Sequence, residues 1–182
     1  FGDWRGVGPA GAPADQGKPA ARTTDADVFV DPAIAAAVRM AWVRQPDLRP
    51  DSAAKRASDL EEALAAAILN RRLEKLAQAE TNPPFVSAQV GSSDLEKTAE
   101  TTSIGTVARL GDWRGALRAI EQEQRRLVQF GVTPDEIERE VTGVRAALQA
   151  GVAAASTRTS ASLAEGLVGA VDREAVPTSP AD

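Results

Sequence analysis

Gln129-Phe130-Gly131-Val132-Thr133-Pro134-Asp135-Glu136-Ile137 is the stretch from which the rest of the chain can be read. Gly131 suits the position just past a helix end, where a left-handed backbone costs a glycine nothing. Thr133 then has the chemistry of a helix N-cap, Pro134 that of the first helical residue, and Glu136 follows the cap by three. Asp135, Glu136 and Glu138 gather at the positive end of the new helix. The passage therefore predicts one helix ending and another beginning within a few residues. Upstream, Asp112 caps the first helix, with Leu117, Ile120, Leu127 and Val128 as its inner stripe. Downstream, Ile137, Val141, Val144 and Leu148 recur at spacings of four, three and four, the period of a buried helix face. Gly151 and the cluster Ser156-Thr157-Arg158-Thr159-Ser160 break that run, and Leu163, Leu167 and Val171 predict a last short helix.

Working further back, the period changes. Residues 101–108 and 85–90 read as strands: Thr102, Ile104 and Thr106 share one face, and Val86, Ala88 and Val90 share another. The polar residues 91–97 predict a wide hairpin-like connection between them. Before these, Asp51 or Ser52 caps a long helix running to about residue 80, stopped by Asn82-Pro83-Pro84. Leu60, Leu64 and Ile68 form one stripe of it, and Leu69, Leu73 and Leu76 an adjacent one. Residues 38–45 alternate Val38, Met40 and Trp42 against Arg39, Ala41 and Val43, a half-buried strand. Residues 27–31, Asp-Val-Phe-Val-Asp, are a further short strand candidate ended by Pro32. The order is strand, strand, long helix, strand, strand, helix, helix, helix. That order predicts an α+β fold: a mixed or antiparallel sheet with long helices packed on one face. Residues 1–24 are rich in Gly and Pro and read as a linker or an extended arm, or else a solvated tail; residues 25–176 read as the folded domain and residues 177–182 as a tail.

The chain has 182 residues without one histidine or cysteine. Most zinc, copper and haem sites use one of those side chains, so the composition argues against them. A Cys nucleophile, a Ser-His-Asp triad and structural disulfides are excluded. Carboxylates, lysine or an oxygen-ligated Mg²⁺ or Ca²⁺ site remain. Net charge is −5, which argues against a nucleic-acid partner. The longest uncharged apolar run, residues 63–69, falls far short of the ~20 residues that span a bilayer. The chain begins at Phe1 without an initiator Met and reads as an internal fragment or as a chain whose start was removed.

Several stretches invite a functional reading. Gly-Asp-Trp-Arg-Gly occurs at 2–6 and again at 111–115. The likeness stops after five residues; the second copy is explained by Asp112 capping a helix whose start Trp113 staples. Asn70-Arg71-Arg72-Leu73-Glu74-Lys75 is the densest basic cluster. It reads as a solvated face, or as a face from which one Arg turns inward onto backbone carbonyls or a neighbouring domain's carboxylate. Residues 121–126 form a second charged helix face. Asp59, Glu61 and Glu62 are adjacent acids near a helix start, with no Lys, His or phosphate loop converging on them. No phosphate-binding loop, dinucleotide fingerprint or EF-hand is present. No residue is assigned to catalysis, cofactor or metal binding. Phe1, Trp4, Arg72 and Trp113 are the candidates for interdomain contacts.

Three of these stretches together resemble a known family. Ala67-Ile68-Leu69-Asn70-Arg71-Arg72-Leu73 within residues 51–77, Pro84-Phe85 with the strand after it, and residues 111–140 including Gln129 to Ile137 resemble a non-catalytic repeat domain of the insulinase/pitrilysin zinc peptidases. The likeness covers about residues 25–175 and rests on the joint order of the segments, since none is a catalytic signature.

The resemblance implies a metallopeptidase repeat-domain fold, inside an enzyme whose two halves clamp an unfolded peptide in a closed chamber. In that family zinc is held in the first domain by an inverted His-x-x-Glu-His motif with a distal Glu. With no His, none of that machinery maps here. The resemblance therefore implies a second, non-catalytic domain, preceded by an interdomain arm at residues 1–24: no cofactor in this fragment, zinc in the catalytic domain of the parent, and proteolysis by the parent. Its partners would be other domains of the same polypeptide or a paired subunit, and peptide substrate through the assembled chamber, with neither nucleic acid nor membrane. It also implies a bacterial periplasmic or envelope location, and a domain continuing beyond residue 182 with another helix and strand. Two competing readings are a stand-alone protein-interaction scaffold and a carboxylate enzyme using Mg²⁺. An upstream His-x-x-Glu-His in the same reading frame favours the peptidase; metal-dependent hydrolysis by the isolated chain favours the last.

Overall fold

The structure is a computed structural model and describes residues 3, 5–8, 11, 15, 17–79, 81–95 and 97–178. Strand β1 spans Ala37–Arg44, helix α1 Ala53–Ala77, strands β2 and β3 Phe85–Leu95 and Ala99–Ala108. Helix α2 spans Trp113–Phe130, α3 Pro134–Ala153 and α4 Ser160–Asp172, with a 3₁₀ turn at Ala155–Thr157 between the last two. The three strands form one antiparallel sheet in the order β1-β3-β2. The expected α+β class, with long helices on one face of an antiparallel sheet, is the observed one.

The period of two sorts the sheet into two faces. Val38, Met40 and Trp42 of β1 lie level with Thr106, Ile104 and Thr102 of β3, and Ala88 and Val90 of β2 lie level with Thr106 and Ile104. This face carries the core. Leu69 and Leu73 come down from α1 and Ala116 and Ile120 from α2, closing over Phe85, Val90, Ile104 and Ala108. Leu73, Phe85, Ile104 and Ile120 are the largest side chains sealed from solvent. The core is aliphatic apart from Phe85, as the scarcity of aromatic residues requires.

The helix boundaries follow the local chemistry. Ser52 caps α1, its side chain accepting from the Lys55 amide at 3.2 Å, and α1 ends at Ala77. Asp112 caps α2 by accepting from the Gly115 amide at 3.0 Å. That cap explains the last glycine of Gly-Asp-Trp-Arg-Gly, because a Cβ on Gly115 would lie 2.3 Å from Asp112 Oδ2. The capping box at Thr133 is complete: the Glu136 amide donates to Thr133 Oγ1 and the Thr133 amide to Glu136 Oε2.

Five expectations need correction. Residues 27–31 form no strand; Val28, Phe29 and Val30 are 77%, 82% and 84% exposed, because no neighbouring strand pairs with them. Residues 91–95 continue β2, since their ladder to β3 runs unbroken to Leu95 opposite Ala99. The turn is therefore tight, with Thr98 donating to the Leu95 carbonyl at 2.8 Å and Lys97 in the left-handed region. Val86 does not share the face of Ala88 and Val90, because an irregularity between Phe85 and Ser87 turns it outward and Phe85 in. On α2, Val128 is exposed and the buried positions run Ala116, Ile120 and Glu123. On α3 no residue is fully buried, and Ile137 and Leu148 are exposed, because α3 packs on α1 and not on the sheet. The period marks its inner face, but nothing among the described residues covers it completely.

Candidate interaction surfaces

Arg72 fastens α1 to the start of α3. Its Nε donates to Glu136 Oε1 and its Nη2 to Glu136 Oε2, both at 2.7 Å, and Nη2 also donates to the Gly131 carbonyl at 3.2 Å. This is the inward-turned arginine of the basic cluster, and its partners are a carboxylate and a backbone carbonyl of the same domain. Glu136 thus serves two elements, closing the capping box and receiving a bidentate guanidinium. The Arg72 guanidinium, with the Thr133 amide behind it, holds the Glu136 carboxyl down to about 2. One turn along, Arg71 pairs with Glu140 at 2.5 Å and lowers that carboxyl too. The buried carboxylate of Glu123 is held by Arg126 from the same helix. Of these groups Arg72, Glu123, Arg126, Thr133 and Glu136 line an open cleft of about 460 Å³ between α1, α2 and α3, together with Lys75, Asp135 and Arg139.

The cleft has no catalytic constellation. Its carboxylates Glu123 and Glu136 are paired with arginines, and the chain has neither His nor Cys to act as base or nucleophile. The acids at the start of α1 are dispersed: Asp59 receives Lys55 at 2.9 Å and Glu62 receives Arg44 at 2.6 Å. Among the described residues no three acidic side chains converge to hold a metal ion. The donor set therefore does not fit the zinc that the resemblance implies for the parent enzyme. Among the described residues no helix is long and apolar enough to cross a membrane.

Asn70 makes a contact that its sequence position did not announce. Its Oδ1 accepts from the Val90 amide at 2.7 Å and its Nδ2 donates to the Val90 carbonyl at 3.2 Å. The side-chain amide thus stands in for a neighbouring strand and latches the outer edge of β2 to α1. Asn70→Ala would leave both backbone groups half-buried without partners. We expect a loss of about 1–3 kcal/mol, read by urea denaturation, with faster amide exchange along β2.

The remaining surfaces are apolar. Trp113 opens α2 at 40% exposure, with the Arg114 guanidinium 4.3 Å from its ring centroid. Helix α4 exposes Leu163, Leu167, Val168 and Val171 and is anchored mainly at its C-terminal end. There Ala170 is buried, Lys97 pairs with Glu174, and the Val176 amide donates to Asp51. Of the other two candidate contact residues, Phe1 and Trp4 lie outside the described residues. The first Gly-Asp-Trp-Arg-Gly is described only in part and is not helical where it is described.

No family model matches the chain. The chloroplastic stromal processing peptidases of Arabidopsis thaliana and Pisum sativum are each 38% identical to it over 60 residues, 32% of this chain and 5% of theirs. Among solved structures, the periplasmic protease PqqL from Escherichia coli superposes with a TM-score of 0.70 at 15% identity, over 78% of this chain and 16% of that one. The structure of the first half of PqqL superposes at 0.67, over 79% of this chain and 30% of that one. The fold is thus that of a segment of a protease, and the chain spans a small fraction of each protein it matches.

Proposed function

We propose that residues 25–176 are a non-catalytic domain of a zinc metallopeptidase, serving as a wall of the substrate chamber and a brace for the catalytic domain. The observation that carries this reading is the superposition of 78% of the chain on a segment of the protease PqqL, by a chain with no His or Cys. The fold supports membership of a peptidase; the composition removes the side chains that a zinc peptidase centre needs. What remains is a domain of paired charges and uncovered apolar faces. Residues 1–24 are its interdomain arm, residues 177–182 its tail. Trp113, with Phe1 and Trp4 of the arm, forms its interdomain contacts. Arg72 contributes indirectly, by holding α3 on α1 so that the outer helix faces are presented as one surface. The catalytic zinc belongs to another domain of the same polypeptide or to a paired subunit. Peptide reaches this domain only in the assembled chamber. A periplasmic or envelope location, as for PqqL, completes the reading.

The isolated chain is expected to purify without stoichiometric zinc and to leave unfolded peptides uncut. Metal analysis and a fluorogenic peptide assay check both. A tight one-to-one zinc signal, or chelator-sensitive cleavage by the fragment itself, contradicts the proposal.

A further inference from the structure

The sheet has two edges, and they are finished differently. The β2 edge is latched by Asn70. Strand β1 is the other edge and has no neighbour beyond it among the described residues. The Ala108 amide donates to the Ala36 carbonyl at 2.8 Å, so the backbone groups of even-numbered residues point toward β3. Those of Arg39, Ala41 and Val43 therefore point outward, unpaired. On the core face Trp42 is 42% exposed and Val38 and Met40 are only half-buried, so the apolar stripe runs to the rim. Such an edge is a template for any strand that reaches it.

The same chain carries a strand-forming segment with nothing to pair with. Val28, Phe29 and Val30 belong to no helix or strand and are exposed. The stretch around them is held near both ends of β1. Gln45, just past one end, donates from Nε2 to the Pro19 carbonyl at 3.1 Å. At the other end Ile34 donates to the Asp31 carbonyl at 3.2 Å and Ala33 to Asp31 Oδ1 at 2.8 Å, turning the chain into β1. Residues 20–30 are thus tethered near both ends of β1, in the order an antiparallel neighbour would have, and take no part in its ladder.

We infer that residues 26–30 close onto β1 as a fourth, antiparallel strand, a strap that shields the edge from a second copy of the chain. One register satisfies every constraint. With Asp31 opposite Ala37, residues 32–36 form a five-residue hairpin loop. Val30 then falls opposite Val38 and Val28 opposite Met40, both on the core face, extending the apolar stripe. Phe29 falls opposite Arg39 on the other face, with Asp27 and Asp31 as the two diagonal neighbours of that guanidinium. A shift of one residue would send Val28 and Val30 to the solvent face and lose the charge match. This inference is independent of the peptidase reading.

The absence of native cysteine makes the register directly testable in the full 182-residue chain. In the closed state a Val30→Cys/Val38→Cys pair sits within disulfide reach on one face, whereas Phe29→Cys/Val38→Cys points to opposite faces. Under mild oxidation the first pair is expected to close within one chain at least about tenfold faster than the second. In the unsubstituted chain, the Arg39 and Ala41 amides are expected to exchange with deuterium more slowly than those of residues 20–24. Equal crosslinking rates for the two pairs, or unprotected Arg39 and Ala41 amides, would overturn the inference. Crosslinking of the 30/38 pair between chains would overturn it in favour of a second copy on the edge.

Discussion

Phe85→Ala is expected to remove most of the stability of the domain and leave it marginally folded. Among the described residues Phe85 is the one aromatic in the sealed core, and it has no exposed surface. It enters through the irregularity at the start of β2 and is packed with Leu69 and Leu73 of α1 and Ala116 and Ile120 of α2 in one cluster. Truncation removes the transfer free energy of the ring and leaves a cavity that three elements would have to collapse to fill. Phe→Ala changes at such sites cost about 3–5 kcal/mol. Domains of this size have roughly 5–15 kcal/mol in total, and a sheet of three strands with two covering helices belongs toward the low end. Urea denaturation checks the expectation. The midpoint should fall far more than for Val86→Ala one residue later, where the side chain is 64% exposed. Equal losses at the two positions would mean that the irregularity in β2 is misplaced.

Arg72→Met is the second large effect. The aliphatic stem is kept, but the guanidinium that joins α1 to Glu136 and the Gly131 carbonyl is lost. Hydrogen bonds to charged groups contribute about 1.5–3 kcal/mol, and the partners here are one-fifth exposed, so a loss toward the lower figure is expected. The pH dependence identifies the pair. Glu136 titrates near 4.5 in the unfolded chain and at about 2 in the folded one. Between those values the unfolded state holds more protons, so stability falls as the solution is acidified through that window and is fully present above it. In Arg72→Met the largest cause of the depression is removed while the Thr133 hydrogen bonds remain, so most of that part of the acid loss should disappear. Glu140 and Asp51 are also depressed by arginine partners and keep their acid sensitivity in both proteins, so the difference between the two profiles isolates Glu136. Parallel profiles would mean the pair does not form in solution.

The parts of the fold legible in the sequence are those set by local chemistry. Thr133, Pro134 and Glu136 marked a helix start because a capping box satisfies backbone donors within four residues. Strand β1 was legible because its alternation is long enough to define a face. Residues 27–31 stand outside the ladder in this structure because β-propensity alone does not place a strand, and pairing is a tertiary matter. Residues 91–95 were misread in the opposite sense: their polar side chains look like a loop, yet the ladder to β3 determines their backbone. At the candidate surfaces, an inward arginine could be anticipated from the crowding of Arg71, Arg72 and Lys75. Its partner could not, since Glu136 is 64 residues away. The Asn70 latch gave no signal at all, because an asparagine in a basic helix has the same periodicity whether it faces water or a strand edge.

The most direct test is zinc content and peptide hydrolysis, measured side by side on the isolated 182-residue chain and on the full polypeptide that contains it. The account predicts no stoichiometric zinc and no cleavage for the chain alone. For the full polypeptide, or its complex with a paired subunit, it predicts one zinc per catalytic site and cleavage of unfolded peptides abolished by a chelator. A zinc-loaded, active fragment, or a full assembly with neither zinc nor peptidase activity, would contradict it.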